Sequence, residues 1–143
     1  MNRASTSPEP LSTPFTASLD GVTIRVAPAF LPGESEPEEN KYFWAYTVEI
    51  ENNRPTTITL RTRHWDIVDM AGGRTSVSGR GVVGQEPAIA PGGRFRYTSG
   101  APLSHPSGMM RGHYDFDCAS GVQLTIPIPA FSLDSPHDRA RPS

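Results

Sequence analysis

Cysteine is almost missing from this chain. Cys118 stands alone among 143 residues, which excludes an intrachain disulfide and makes a reducing compartment the simpler setting. Long apolar runs are missing too. No stretch is long enough to span a bilayer as a helix, and residues 1–10 lack the apolar run of a secretory signal. The expectation is therefore a cytoplasmic protein with no membrane contact. Excess charge is also lacking: the formal net charge is −2 and the pI is near 6.1. A general nucleic-acid binder would carry a basic surplus to neutralise phosphates, so that class is set aside.

Turn formers are plentiful instead, with 15 prolines and 13 glycines against 36% hydrophobic residues. That balance points to many short strands joined by turns. Residues 1–18 and 135–143 are poor in apolar groups and read as tails that bury too little to offset their ordering entropy. Between them, residues 19–134 read as one domain. Val22, Ile24 and Val26 alternate with Thr23 and Arg25, and Trp44, Tyr46, Val48 and Ile50 alternate with polar neighbours. This is the period of a strand with one buried face. Residues 34–41 are acidic, carry proline and read as a surface loop. After the turn Asn52-Asn53-Arg54-Pro55, residues 56–70 form a long strand. Its apolar parity changes from Ile58 and Leu60 to Trp65 and Ile67, which predicts a β-bulge near His64-Trp65.

Ala71-Gly72-Gly73 turns the chain into a further strand, and Phe95 and Tyr97 alternate in the next one. Residues 99–108 read as irregular. Tyr114, Phe116 and Cys118 then share a face, as do Val122, Leu124, Ile126 and Ile128. Pro127 and Pro129 lack N–H donors and mark the last strand as an edge. About seven strands at short spacing predict an all-β antiparallel sandwich of the immunoglobulin or fibronectin type III kind.

Gly79-x-Gly81-x-x-Gly84 has the spacing of a dinucleotide phosphate loop, but Pro87 and Pro91 follow and no helical spacing continues from Gly84. The helix N-terminus that would hold a pyrophosphate is therefore not expected, and the glycines lie between strands. Two readings of the loop stay open. Gly79, Gly81 and Gly84 could form an anion cradle of backbone N–H groups, assisted by Arg80 and by Arg94 or Arg96. Alternatively the glycines serve only positive φ and close backbone approach. His113-x-Asp115-x-Asp117 forms a row on one strand face and, with His64, makes up the candidate metal ligands; a solvated polar face explains the row equally. Ser78, Ser99 and Ser104 lack a catalytic-triad setting, and Cys118 reads as a packed residue.

The ordered pieces Ser35-x-Pro37, Tyr46-x-Val48-x-Ile50-x-Asn52, Arg63-His64-Trp65 and Gly79-x-Gly81-Val82-Val83-Gly84-x-x-Pro87 resemble the ApaG domain. So do Pro91-Gly92, Phe95-x-Tyr97-x-Ser99-Gly100 and Gly108-x-Met110-x-Gly112-x-Tyr114, and together they span nearly all of residues 19–134. The resemblance implies a fibronectin type III-like sandwich without established catalysis. It also implies a link to cobalt resistance and magnesium efflux, and related domains act as interaction modules in eukaryotic F-box and polymerase-interacting proteins. Arg80 stands where the family often has an acidic residue, which favours an anion over a metal at the loop.

The expected function is thus a non-enzymatic module that engages another protein, with a role in divalent-cation homeostasis and no cofactor. Its edge near Pro127 and Pro129 and the 34–41 loop are the expected contact surface, and self-association is open. The alternative is a small-ligand protein that binds phosphate or pyrophosphate at residues 79–84. A metal-dependent phosphohydrolase built on His64 or the His113 row ranks last.

Overall fold

The computed structural model describes residues 3–5 and 15–138, and within them the regular structure is nearly all β-strand. In order the strands are β1 (Arg3–Ser5), β2 (Phe15–Leu19), β3 (Val22–Phe30), β4 (Tyr42–Asn52), β5 (Ile58–Asp69), β6 (Arg74–Arg80), β7 (Ala88–Ile89), β8 (Arg94–Leu103), β9 (Gly108–Cys118) and β10 (Gln123–Leu133). One antiparallel sheet has the order β1-β8-β4-β3-β2. The other has the order β10-β9-β5-β6, with β7 pairing on β5. The expected sandwich is present, with ten strands among the described residues where about seven were expected, and no helix starts at Gly84.

Alternation decides which side chains meet between the layers. Ile24, Val26, Trp44, Val48 and Ile50 from the first sheet face Leu60, Trp65, Tyr114, Phe116, Ile126 and Phe131 from the second, all buried. Trp65 is the hinge of this core: its ring lies 5.4 Å from Tyr46, 6.3 Å from Tyr114 and 5.9 Å from Phe131. Edge-to-face aromatic contacts of this kind add to the area buried.

The structure differs from the sequence expectations in four places. The bulge on β5 lies between Leu60 and Thr62, upstream of His64-Trp65. One extra residue there is enough to move the apolar set from even to odd positions. Residues 99–103 are not irregular, because β8 runs on to Leu103 paired with Tyr42. The expected N-terminal tail gives way to strand at Phe15 to Ser18, which pair with Val26 to Thr23; residues 6–14 lie outside the described residues. At the other end, Ser135 Oγ donates to Pro106 O at 2.6 Å, and the His137 ring lies 5.8 Å from Phe30. Residues 139–143 lie outside the described residues.

The sheet edges are protected unequally. β10 is an edge strand, as Pro127 and Pro129 require, and it packs along β2 and β3 of the facing sheet. The 34–41 loop holds a short 3-10 turn, Pro37–Glu39, and none of that turn's residues is buried. β6 closes the other side of its sheet and is exposed at every position except Gly79.

Candidate functional site

After the bulge, the odd residues of β5 point inward, so Arg63 enters the interlayer space two residues from Trp65. A cation on that face needs compensation, and the glycine motif supplies part of it. Arg63 pairs with Gly79 across the β5–β6 ladder. A Cβ at Gly79 would sit 3.0 Å from Nη1 and Nη2 of Arg63, so the missing side chain makes the space in which the guanidinium lies. From there Nη1 donates to Arg80 O at 2.9 Å and Gly81 O at 2.8 Å.

The other two glycines have separate tasks. Gly81 has φ +63°, and a Cβ there would sit 2.2 Å from Gln85 O, so the backbone closes on itself at this point. Val82 and Gln85 exchange backbone hydrogen bonds at 2.8 and 2.9 Å around Val83 and Gly84. Both central residues have positive φ (43° and 79°), the pattern of a type I′ turn. Glycine accepts that conformation freely; a β-branched valine does not. Val83 is thus held in a strained conformation, a feature that clusters at ligand sites.

Arg63, Arg80, Val82, Val83 and Gly84 form one wall of a cleft of about 300 Å3, and Tyr46, Tyr97 and Ser99 of the first sheet form the other. No carboxylate forms an ion pair with Arg63 among the described residues, and its only hydrogen bonds there use Nη1. Nε and Nη2 are left for solvent or a ligand. The opposite wall supplies hydroxyls. Burial raises the Tyr46 pKa, partly offset by its hydrogen bond with Ser99 and the Arg63 charge. The Tyr97 hydroxyl hydrogen-bonds that of Tyr114 in a very short contact. Burial pushes both of these well above the ordinary tyrosine value; Tyr97 and Tyr46 raise Tyr114 further, and Tyr46 raises Tyr97, which its bond with Tyr114 partly offsets.

The pH consequence has a definite sign. Tyrosines whose folded pKa is raised stabilise the fold fully below their unfolded value near 10, and that stability is lost as pH rises further. Of the chain's four tyrosines, Tyr97 and Tyr114 should stay unionised until the protein unfolds. The phenolate absorbance of Tyr97 and Tyr114 should therefore appear only together with loss of the β-sheet circular dichroism signal. Ionisation of these two in the folded protein would contradict this.

Gly79, Arg80, Gly81 and Gly84 lie together at the end of β6 and in the turn that follows it. Arg80 itself is 81% exposed and pairs with Glu86 at 2.9 Å. Arg94 and Arg96 are elsewhere. They lie on the outer face of the first sheet, where Arg94 Nε meets Glu51 at 3.3 Å and Arg96 Nη2 meets the buried Glu49 at 2.8 Å. Even positions on β8 point away from Tyr97, so neither can reach the cleft. Arg63 is the cation that the sequence reasoning missed. Its parity with Trp65, and the glycine opposite it, were the available signals.

His64 and His113 face each other across β5 and β9, their rings stacked at 5.1 Å. His64 Nδ1 lies 2.5 Å from Ser78 Oγ, and Nε2 lies 3.6 Å from Asp66. Asp115 accepts from Thr62 and Thr125, both at 2.7 Å, and those bonds lower its pKa. Asp117 accepts from Arg61 Nε at 2.9 Å. The two carboxylates are thereby held by their own neighbours. Among the described residues, no three His, Cys, Asp or Glu side chains are grouped to hold a metal ion. Cys118 is buried and free.

Comparison with known proteins agrees with this architecture. A family model described as the ApaG domain matches residues 32–118. Protein ApaG of Bradyrhizobium sp. is 52% identical over 122 residues, covering 85% of this chain and 94% of its own. Protein ApaG of Parvibaculum lavamentivorans is 48% identical over 123 residues, covering 86% and 95%. The crystal structure of a Bordetella pertussis protein described as ApaA superposes with a TM-score of 0.78 at 38% identity, covering 88% of this chain and 99% of that one. Sequence, topology and the glycine hairpin thus lead to one assignment: this chain belongs to the ApaG family.

Proposed function

We propose that the protein is a non-enzymatic binding module and that the Arg63 cleft takes a small oxyanion, phosphate or pyrophosphate. The observation that carries this is an arginine without an ion-pair partner among the described residues, set in a cleft whose facing wall is built from the hydroxyl-bearing residues Tyr46, Tyr97 and Ser99. A guanidinium and hydroxyl donors together match the charge and lone pairs of such an anion. The strained turn at Val83 presents backbone to the same space. By family resemblance the binding event belongs to divalent-cation homeostasis in the cytoplasm, exerted through a bound partner protein and not through a resident cofactor.

Titration calorimetry with phosphate and pyrophosphate tests the ligand. Arg63→Gln should weaken binding about 10- to 100-fold, the equivalent of one charge-assisted hydrogen bond or two. Arg80→Ala should change it far less, because that side chain already pairs with Glu86. Arg63 also ties down the hairpin, so the double variant Tyr46→Phe, Ser99→Ala gives a second measure on the opposite wall. Absence of heat at millimolar anion in the unaltered protein would end the proposal.

A further inference from the structure

β6 is a long sheet edge, open at Arg74, Ser76 and Ser78 and capped at Arg80 by a guanidinium. Gly81 N donates to Arg61 O, and Asp69 N to Gly73 O, at the two ends of an unshifted β5–β6 ladder. Antiparallel alternation then turns the odd residues of β6 toward β5 and the N–H and C=O groups of Arg74, Ser76, Ser78 and Arg80 away from the sheet. Of these groups, Arg80 O is already taken by Arg63 Nη1. The guanidinium thus occupies the place where the next strand would donate, having reached it across the gap left by Gly79.

Natural edges are usually blunted by proline, lysine, bulges or shortness. β10 has Pro127, Pro129 and a register shift between Ile128 and Phe131, and it lies against β2. β1 has three residues. β6 has seven, with no proline, lysine or register shift. On its inner face Val77 is 39% exposed, an uncovered β-branched side chain beside the open edge.

We propose that β6 is a strand-addition site for an extended, acidic segment of a partner protein, whose carboxylate is received by Arg63. Main-chain bonds to Arg74, Ser76 and Ser78 would supply affinity in this mode, and alternate side chains the specificity. Charge selects the partner. Arg80 already pairs with Glu86, but Arg74 and Arg63 have no ion-pair partner among the described residues, so pairing with a second copy sets four such arginines along one seam, whereas an acidic strand complements them. This rests on the oxyanion reading only through Arg63.

The test is a library of random dodecapeptides with free C-termini, panned against the full chain, with the selected peptides resynthesised as acids and as amides. The expected result is enrichment of Asp or Glu at one fixed position within a β-branched run, with amide shifts concentrated on residues 74–80. If amidation lowers affinity, the carboxylate is terminal; if it does not, the Asp or Glu side chain fills the role. Ser76→Pro removes a main-chain donor that points away from the sheet and one exposed side-chain bond, Ser76 Oγ to Asp66 at 2.6 Å, while every β5–β6 ladder bond is retained. It should weaken peptide binding at least 10-fold and leave pyrophosphate calorimetry unchanged, while Arg63→Gln weakens both. Three outcomes overturn the proposal: no enrichment, selected peptides that shift residues elsewhere, or a dimer of the unaltered protein that Ser76→Pro dissolves. Absence of pyrophosphate binding by the unaltered protein, with peptide binding present, would remove the oxyanion reading alone, and full peptide affinity in Arg63→Gln would overturn the carboxylate contact proposed here.

Discussion

Gly112→Ala is expected to destabilise the protein by about 4 kcal/mol or more, among the largest effects a single methyl can have. Gly112 pairs with Trp65 across β5 and β9. A Cβ there would stand 2.0 Å from His64 O, 3.0 Å from His64 C and 3.2 Å from Trp65 Cα. All three atoms are backbone, so no side chain can swing aside and the two strands must part. They part at Trp65, whose ring joins Tyr46, Tyr114 and Phe131 in the core. Urea denaturation against Gly33→Ala gives the comparison, since Gly33 has nothing within 4 Å and no positive φ. Gly33→Ala should be near neutral. Equal midpoints for the two variants would show that the sheets do not approach at Gly112 as described.

Gly81→Ala is expected to cost about 3 kcal/mol and to abolish anion binding, whereas Gly84→Ala costs about 1 kcal/mol and preserves it. Both glycines have positive φ, +63° and +79°. Only Gly81 adds a steric conflict, its Cβ falling 2.2 Å from Gln85 O, while a Cβ at Gly84 would meet nothing within 4 Å beyond its chain neighbours. Opening the hairpin at Gly81 also moves the carbonyl that holds Arg63 Nη1. Thermal melts and pyrophosphate calorimetry on both variants separate the two contributions. Anion affinity retained in Gly81→Ala would dissociate the hairpin from the site.

Much of the fold was legible because it depends on near-neighbour periodicity. Tyr46, Val48 and Ile50 alternate with polar residues, so a buried face could be read without knowing what covered it. Pro127 and Pro129 announced an edge for a reason that holds in any sheet. The bulge was sensed but placed too late: a parity change reports only that one extra residue lies somewhere between Leu60 and Trp65, and the register puts it before Thr62. Phe15 to Ser18 looked like tail because one phenylalanine in a run of Ser and Thr carries no pattern. Their strand exists because β3 offers them an edge. At the site, Arg94 and Arg96 were drawn to the glycine loop by closeness in sequence, although alternate positions on β8 point to opposite sides of the layer.

Most strand positions, their buried faces, the exclusion of a helix after Gly84 and membership of the ApaG family follow from order along the chain. The first three depend on residues within a few positions of one another, and the last on the order and spacing of such short pieces along the chain. The cleft does not. Arg63, Gly79 and Tyr97 come from different strands, and their meeting depends on how two sheets are stacked and on one inserted residue in β5. A single step of register turns every side chain of a strand to the opposite face, so the identity of the cation in the cleft was settled by long-range packing.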